Sequence, residues 1–168
     1  MGHPKIVLTA DRTLMSPYRG IWLATFCGCA PSIDPDRPKS DFWYKILGQQ
    51  VTPKILFDFI CNPISHTNGI ANFAPYGLRK VEAGLLRDGF KRNEVVVAHP
   101  DHLEKFIGPE TQVVGTYEMD PLGMGPVTMT FTYGRKQMSY DEFYNAELHH
   151  RINAAKLKTG SKAKVISG

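Results

Sequence analysis

The chain has 168 residues, 42% hydrophobic and 21% charged, with a net charge of +4, the profile of a soluble single domain that can bury a real core. No apolar run approaches the roughly 18 residues that a spanning helix needs, Met1-Gly2-His3-Pro4-Lys5 lacks a signal-peptide layout, and three cysteines argue against a disulfide framework. A cytoplasmic protein with free thiols and no membrane partner is expected. The basic residues (Arg79-Lys80, Arg87, Lys91-Arg92, Arg135-Lys136 and those within 156–164) are interleaved with acids and read as solvated helix surface, not as a nucleic-acid interface.

In chain order, residues 5–9 form a short β-rich run that ends at the turn-prone Asp11 and Ser16, as a buried parallel strand does. A long, proline-punctuated connection follows over 16–74, with one apolar run at 55–60; a segment of that length in a compact domain points to function or to an accessory surface. Ala74-Pro75-Tyr76-Gly77 opens a helix with Leu78, Val81, Leu85 and Leu86 on one face, and Gly89 stops it. Residues 94–98 are a second buried strand, and Asp101 caps a short helix whose Leu103, Phe106 and Ile107 face inward.

Residues 112–117 are a third strand, which empties into the Gly- and Pro-rich loop 118–126. Ser139 and Glu142 form a capping box for a long helix carrying Tyr140, Phe143, Tyr144, Leu148, Ile152 and Ala155 on one face, before Gly160 and a last strand at 163–166. Strands alternating with helices predict a doubly wound α/β domain with a parallel sheet, spanning 1–168 with an insertion at about 16–74. Ligands of such sheets bind at the carboxyl ends of the strands, near the switch point. The fourth strand has no loop after it, so the chain is expected to be the front part of a longer polypeptide.

Four stretches carry a resemblance: Lys5-Ile-Val-Leu-Thr-Ala-Asp-Arg-Thr-Leu-Met-Ser16; Ala74-Pro-Tyr-Gly-Leu-Arg-Lys-Val-Glu-Ala83 with Leu85, Leu86 and Gly89; Val113-Val-Gly115 leading into Met119-Asp-Pro121; and Lys164-Val-Ile-Ser-Gly168. In order and spacing they resemble the amino-terminal cobalamin-binding region of cobalamin-dependent radical S-adenosylmethionine proteins. The resemblance implies a flavodoxin-like, Rossmann-like module, incomplete at its C-terminal end, that binds cobalamin against one face of the corrin ring. It also implies a downstream barrel in the same polypeptide that holds a 4Fe-4S cluster and cleaves S-adenosylmethionine, and methyl transfer from cobalamin to a carbon centre. The Cys-x-x-x-Cys-x-x-Cys motif of that barrel is absent: Cys27-Gly28-Cys29 has the wrong spacing and Cys61 is remote.

The expected cofactor-binding residues are Thr9, Ala10, Asp11, Arg12 and Thr13 after the first strand, and Met119, Asp120, Pro121, Leu122, Gly123, Met124 and Gly125 after the third. Gly123 and Gly125 let the backbone approach a flat macrocycle, while Met119, Leu122 and Met124 supply apolar contact. One cobalamin-binding family ligates cobalt with the His of an Asp-x-His-x-x-Gly motif. His66 with Gly69 matches the end of it, but Ile64 stands where the orienting carboxylate belongs, so His66 is a weak candidate metal ligand. Asp101-His102 is explained by helix capping. Cys27, Cys29 and the adjacent His149-His150 have no metal-site spacing, and no catalytic residue is assigned.

Trp22, Phe26, Trp43 and Tyr44 are candidates to cover either the downstream barrel or the sheet's own edge. Two other readings stand beside cobalamin binding: a degenerate flavodoxin-like docking domain that no longer holds the cofactor, and a flavin site. The flavin site would need a hydroxyl- and Gly-rich loop after the first strand, which residues 9–13 match only in part.

Overall fold

The computed structural model describes residues 2–168, without the side chains of Trp22 and Leu23. Its strands are β1 (Ile6–Ala10), β2 (Pro31–Ile33), β3 (His66–Thr67), β4 (Ile70–Ala71), β5 (Val95–Val97), β6 (Val113–Tyr117), β7 (Met138–Ser139) and β8 (Lys164–Ser167). The α-helices are α1 (Phe42–Leu47), α2 (Lys54–Ile60), α3 (Tyr76–Arg87), α4 (Pro126–Phe131) and α5 (Tyr140–Thr159), joined by tight helical turns over Tyr18–Gly20, Trp22–Cys29 and Pro100–Lys105.

The chain is α/β. Its main sheet has the order β5-β1-β6-β8 and is parallel throughout, compatible with a flavodoxin-like fold. All five residues of β1 are buried, as expected of a strand paired on both edges and covered on both faces. The two-residue period of the strand sorts its side chains. Val7 joins Val96, Val114, Leu148, Ile152 and Ala155 beneath α5. Ile6, Leu8 and Ala10 join Met15, Leu78, Val95 and Val97 on the α3 side.

Local signals start and stop α3 and α5 where the sequence indicates, whereas the turn Pro100–Lys105 is capped not by Asp101 but by His99, whose ring accepts from the Asp101 amide. Ser139 accepts from the Glu142 amide while the Glu142 carboxylate accepts from the Ser139 amide, and Gly160 closes α5 in the left-handed conformation. On α3, however, Val81 points outward (51% exposed) and Glu82 faces in, at 8%. The Glu82 carboxylate holds both Arg79 (2.8 Å) and Arg92 (2.9 Å), which compensates the buried charge.

The long connection is less irregular than its prolines suggest. It contains α1, α2, β2 and the β3–β4 hairpin, and β2 pairs with β7 beyond the third strand. Phe57 of α2 anchors it, stacking on Tyr140 with ring centroids 3.6 Å apart; Tyr18, Cys61 and Tyr144 complete this third cluster. Elements of six or seven residues are too short to show a clear period. At the end of the Gly- and Pro-rich loop 118–126, Pro126 likewise starts α4 at its first turn.

Ile152, fully buried between α5 and the sheet, is predicted to be a main support of the fold. Ile152→Ala should lower unfolding free energy by about 2–5 kcal/mol, measured by urea denaturation; a loss below about 1 kcal/mol would contradict the packing described.

Candidate functional site

Helix α3 follows β1 on one face of the sheet and α5 follows β6 on the other, so the chain leaves these two adjacent strands in opposite directions. A crevice opens between their carboxyl ends, at the topological switch point. The crevice holds a cavity of about 410 Å³, lined by Thr13 and Leu14 after β1, Met119 and Asp120 after β6, and Phe26, Cys29, Thr128 and Asp141 around them. A small recess of about 10 Å³, the size of one water, lies against Asp11, Thr13, Asp120, Asp141 and Asn145.

Two aspartates shape the walls. Asp11 accepts from the Thr13 amide (2.7 Å) and hydroxyl (2.5 Å), folding the chain back after β1. Asp120 accepts from the amides of Met124 (2.8 Å) and Gly125 (3.0 Å) and from the Thr128 hydroxyl (2.5 Å), which ties loop 120–125 to α4. Gly123 in that loop has φ +62°, a conformation that side chains disfavour. Gly28 lies directly against the Asp141 carboxylate, leaving no room for a Cβ. Tyr18, in left-handed backbone conformation, reaches across and donates its hydroxyl to the Thr13 carbonyl (2.7 Å).

The structure brings together some of the residues named from sequence and separates others. Thr13, Met119, Asp120 and Gly125 line the cavity, and Asp11 and Pro121 line the recess. Thr9 and Ala10 are fully buried within the sheet, Thr9 donating its hydroxyl to the Ala98 carbonyl. Arg12 turns away, donating to the Cys61 carbonyl (3.2 Å), near Asp58 and over the Tyr144 ring. Leu122, Gly123 and Met124 are outside the cavity lining; Leu122 and Met124 are exposed, as is Met119.

His66 lies on the β3–β4 hairpin, which bridges to the end of β5 through Ile70 and Ala98. Both its ring nitrogens are engaged: Nδ1 accepts from the Gly69 amide (3.2 Å), and Nε2 sits 3.0 Å from Nε2 of His102. It does not line the cavity. Among the described residues no group of three His, Cys, Asp or Glu side chains is arranged to hold a metal ion.

Sequence reasoning missed Cys29, Thr128, Asp141 and Asn145. Asp141 is adjacent to the capping Ser139, where an acid reads as a partner of the helix dipole; Asn145 falls one turn on, on the same helix face. Phe26, considered as a surface for other contacts, lines the cavity with Met119 and is 53% exposed. Trp43 is exposed, and the Trp22 side chain lies outside the described residues.

The site is acidic. Burial pushes the Asp141 carboxyl up to about 6, with Asp11 and Asp120 adding repulsion, while hydrogen bonds from Thr13 and Cys29 partly oppose the shift. Asp11 is also raised by burial, against the donors at Thr13 and Leu14. Burial raises the Cys29 thiol, which keeps it protonated. Beside the site, His149 lies 2.7 Å from Glu118, which also accepts from the Thr116 hydroxyl. Burial alone would raise Glu118; the hydrogen bonds from Thr116, His149 and Ser167 outweigh it and hold this carboxyl below its usual range.

No protein-family model matches the chain, and no curated protein or solved structure matches it. Among the described residues no helix is long and apolar enough to cross a membrane.

Asp120→Ala should cost about 2 kcal/mol by stranding the donors of loop 120–125, and limited proteolysis should cut there first; cleavage at parental rate would contradict this role. Asp141 predicts a pH effect. Its proton is held more tightly in the folded than in the unfolded chain, so its stabilisation is present below the ordinary aspartate range and is lost as pH rises through about 6. Asp141→Asn should therefore gain in melting temperature on the parent as pH rises from 4 to 8; an unchanged difference over that range would show that its burial is not costly.

Proposed function

We propose that this chain is a cobalamin-binding module whose site is the switch-point cavity, and that it presents the cofactor to a radical S-adenosylmethionine barrel in the same cytoplasmic polypeptide. The observation that carries the reading is the meeting of Thr13, Met119, Asp120 and Gly125, named from the family resemblance, around one cavity at the carboxyl ends of β1 and β6. Parallel sheets of this kind bind their ligands there.

The residues fit such a group. The cavity, about 410 Å³, is smaller than a whole cobalamin and open to a surface rich in exposed apolar side chains, with Met119 at 74% and Leu122 and Met124 at 61% each. Phe26, Met119 and Val127 would hold the apolar macrocycle, and Thr13 and Asp141, as acceptors, its amide arms. The cavity lining includes no histidine, consistent with cobalt taking no imidazole from this chain. When bound, cobalamin supplies a transferable alkyl group on cobalt; this chain binds it, orients it and excludes water. Methyl transfer to a carbon centre, with the barrel's 4Fe-4S cluster and S-adenosylmethionine, belongs to the same proposal, as does the flavodoxin-like fold of the module.

Incubation with hydroxocobalamin followed by desalting tests the reading. Corrin absorbance should stay with the protein and be lost when residues 120–126 are replaced by a neutral linker in a variant that keeps the parental circular dichroism. No retained corrin in the intact chain would favour a docking domain that has lost its cofactor, and retained yellow colour on purification would favour flavin.

A further inference from the structure

Away from the cavity, three histidines meet where the β3–β4 hairpin joins the end of β5, and the function proposed above uses none of them. The His66 ring centroid lies 4.3 Å from that of His102 and 5.0 Å from that of His99. The hairpin turns on Asn68 and Gly69, both at positive φ (+56° and +91°). It is joined to the sheet by the Ile70–Ala98 bridge and by the His99 amide, which donates to the Gly69 carbonyl (2.8 Å). Gly69 also packs so closely on the His102 Cβ and the Phe106 ring that a Cβ there would force a shift.

The hydrogen bonds assign the proton of each ring to one nitrogen. The Gly69 amide donates to His66 Nδ1 (3.2 Å), so the His66 proton is on Nε2. That N–H meets His102 Nε2, 3.0 Å away, as its acceptor, and the His102 proton is on Nδ1. The Asp101 amide donates to His99 Nδ1 (3.1 Å), so the His99 proton is on Nε2. Each ring is thus neutral and commits its lone pair to a bond that holds this corner together. An added proton opposes the Gly69 amide at His66, the Asp101 amide at His99 and the His66 N–H at His102.

The charged groups facing the cluster come from the turn Pro100–Lys105 and from α5. The Glu104 carboxylate lies 4.0 Å from His102 Nδ1, close enough to pair with an imidazolium. Asp101 lies 4.0 Å from His99 Nδ1, but Arg151 of α5 approaches that carboxylate at 3.3 Å. Burial holds His99 below the usual imidazole range, with the His66 and His102 rings adding to the effect of burial and Asp101 opposing it. Arg79 and Lys105 border the outer groove beside Ile70.

We propose that these imidazoles are a proton-sensitive latch: neutral, they hold the β3–β4 hairpin on the end of β5, and a proton taken up by His102 releases it. The consequence reaches the cavity along the chain. The Ile64 amide donates to the Met15 carbonyl (3.2 Å) and the Ser16 hydroxyl to the Asn62 carbonyl (2.6 Å). The segment leading into the hairpin therefore steadies the loop after β1, whose Leu14 and Ser16 line the cavity, and release of the hairpin loosens that wall. The open corner binds more protons than the closed one, so closure is favoured above the ordinary histidine range and lost as pH falls through it.

Two measurements by NMR on the whole chain test the latch. Imidazole nitrogen spectra at pH 7.5 should place the proton on Nε2 of His66 and on Nδ1 of His102; a His66 proton on Nδ1 would overturn the proposal. In hydrogen exchange corrected for intrinsic rates, the His99 amide should lose about tenfold in protection from pH 7.5 to pH 5, the equivalent of one hydrogen bond. The β1 amides should change by less than about twofold over the same interval. His102→Gln, whose side-chain carbonyl still accepts from His66 but takes up no proton, should keep most of its protection at pH 5. An equal loss in His102→Gln, no loss in the parent, or a parallel loss in β1 would each sink the latch.

Discussion

Complete burial of β1 is the constraint on which the rest of the structure depends. A strand with hydrogen-bonded neighbours on both edges and helices over both faces exposes none of its own side chains, so Ile6–Ala10 ends with its polar groups spent internally, Thr9 on the Ala98 carbonyl. The strand itself can reach open space only where it stops. Because α3 and α5 lie on opposite faces, the loops after β1 and β6 diverge there and leave space that neither helix fills. The position of the site is thus a consequence of strand order.

The accessory segment finishes what the sheet begins. Phe57, Tyr18 and Cys61 pack on Tyr140 and Tyr144 at the start of α5. Asp58 receives Lys54 at 2.5 Å and the Tyr144 hydroxyl, with Arg12 at 3.9 Å. That node draws the Arg12 guanidinium out of the crevice and toward α2, leaving an acidic wall without a basic counterpart. The tight helical segment Trp22–Cys29 then brings Phe26 and Cys29 to the cavity. An insertion that looks dispensable to the sheet therefore builds one side of the site.

The walls are organised by hydrogen bonds to carboxylates. Asp11 and Asp120 each act as an internal acceptor for the loop that contains them, and such charge-assisted bonds are stronger than neutral ones. Asp141 has no comparable set of donors, and burial raises its proton affinity. The three acids share a sign and a neighbourhood, yet two stiffen the loops that contain them while the third stands on α5.

Much of the scaffold was legible in the sequence because it rests on local chemistry. The unbroken β-rich run of β1, the Ser139–Glu142 capping box, the Gly160 stop and the Gly-Pro loop after β6 are written within a few residues of one another and hold in the structure. Met119, Asp120 and Gly125 were legible for the same reason: they follow a strand whose carboxyl end is recognisable. What tertiary structure alone decided is which distant segments meet. Cys29 and Asp141 lie 112 positions apart, the inward turn of Glu82 depends on Arg92 of another segment, and Arg12 faces α2 because Asp58 is there. Side-chain period reports which face of an element is buried but carries no record of its partner. The sequence alone therefore determined an α/β domain whose loops gather at the strand termini, and only the fold could bring Asp141 and Asn145 to the crevice there, because their neighbours come from remote parts of the chain.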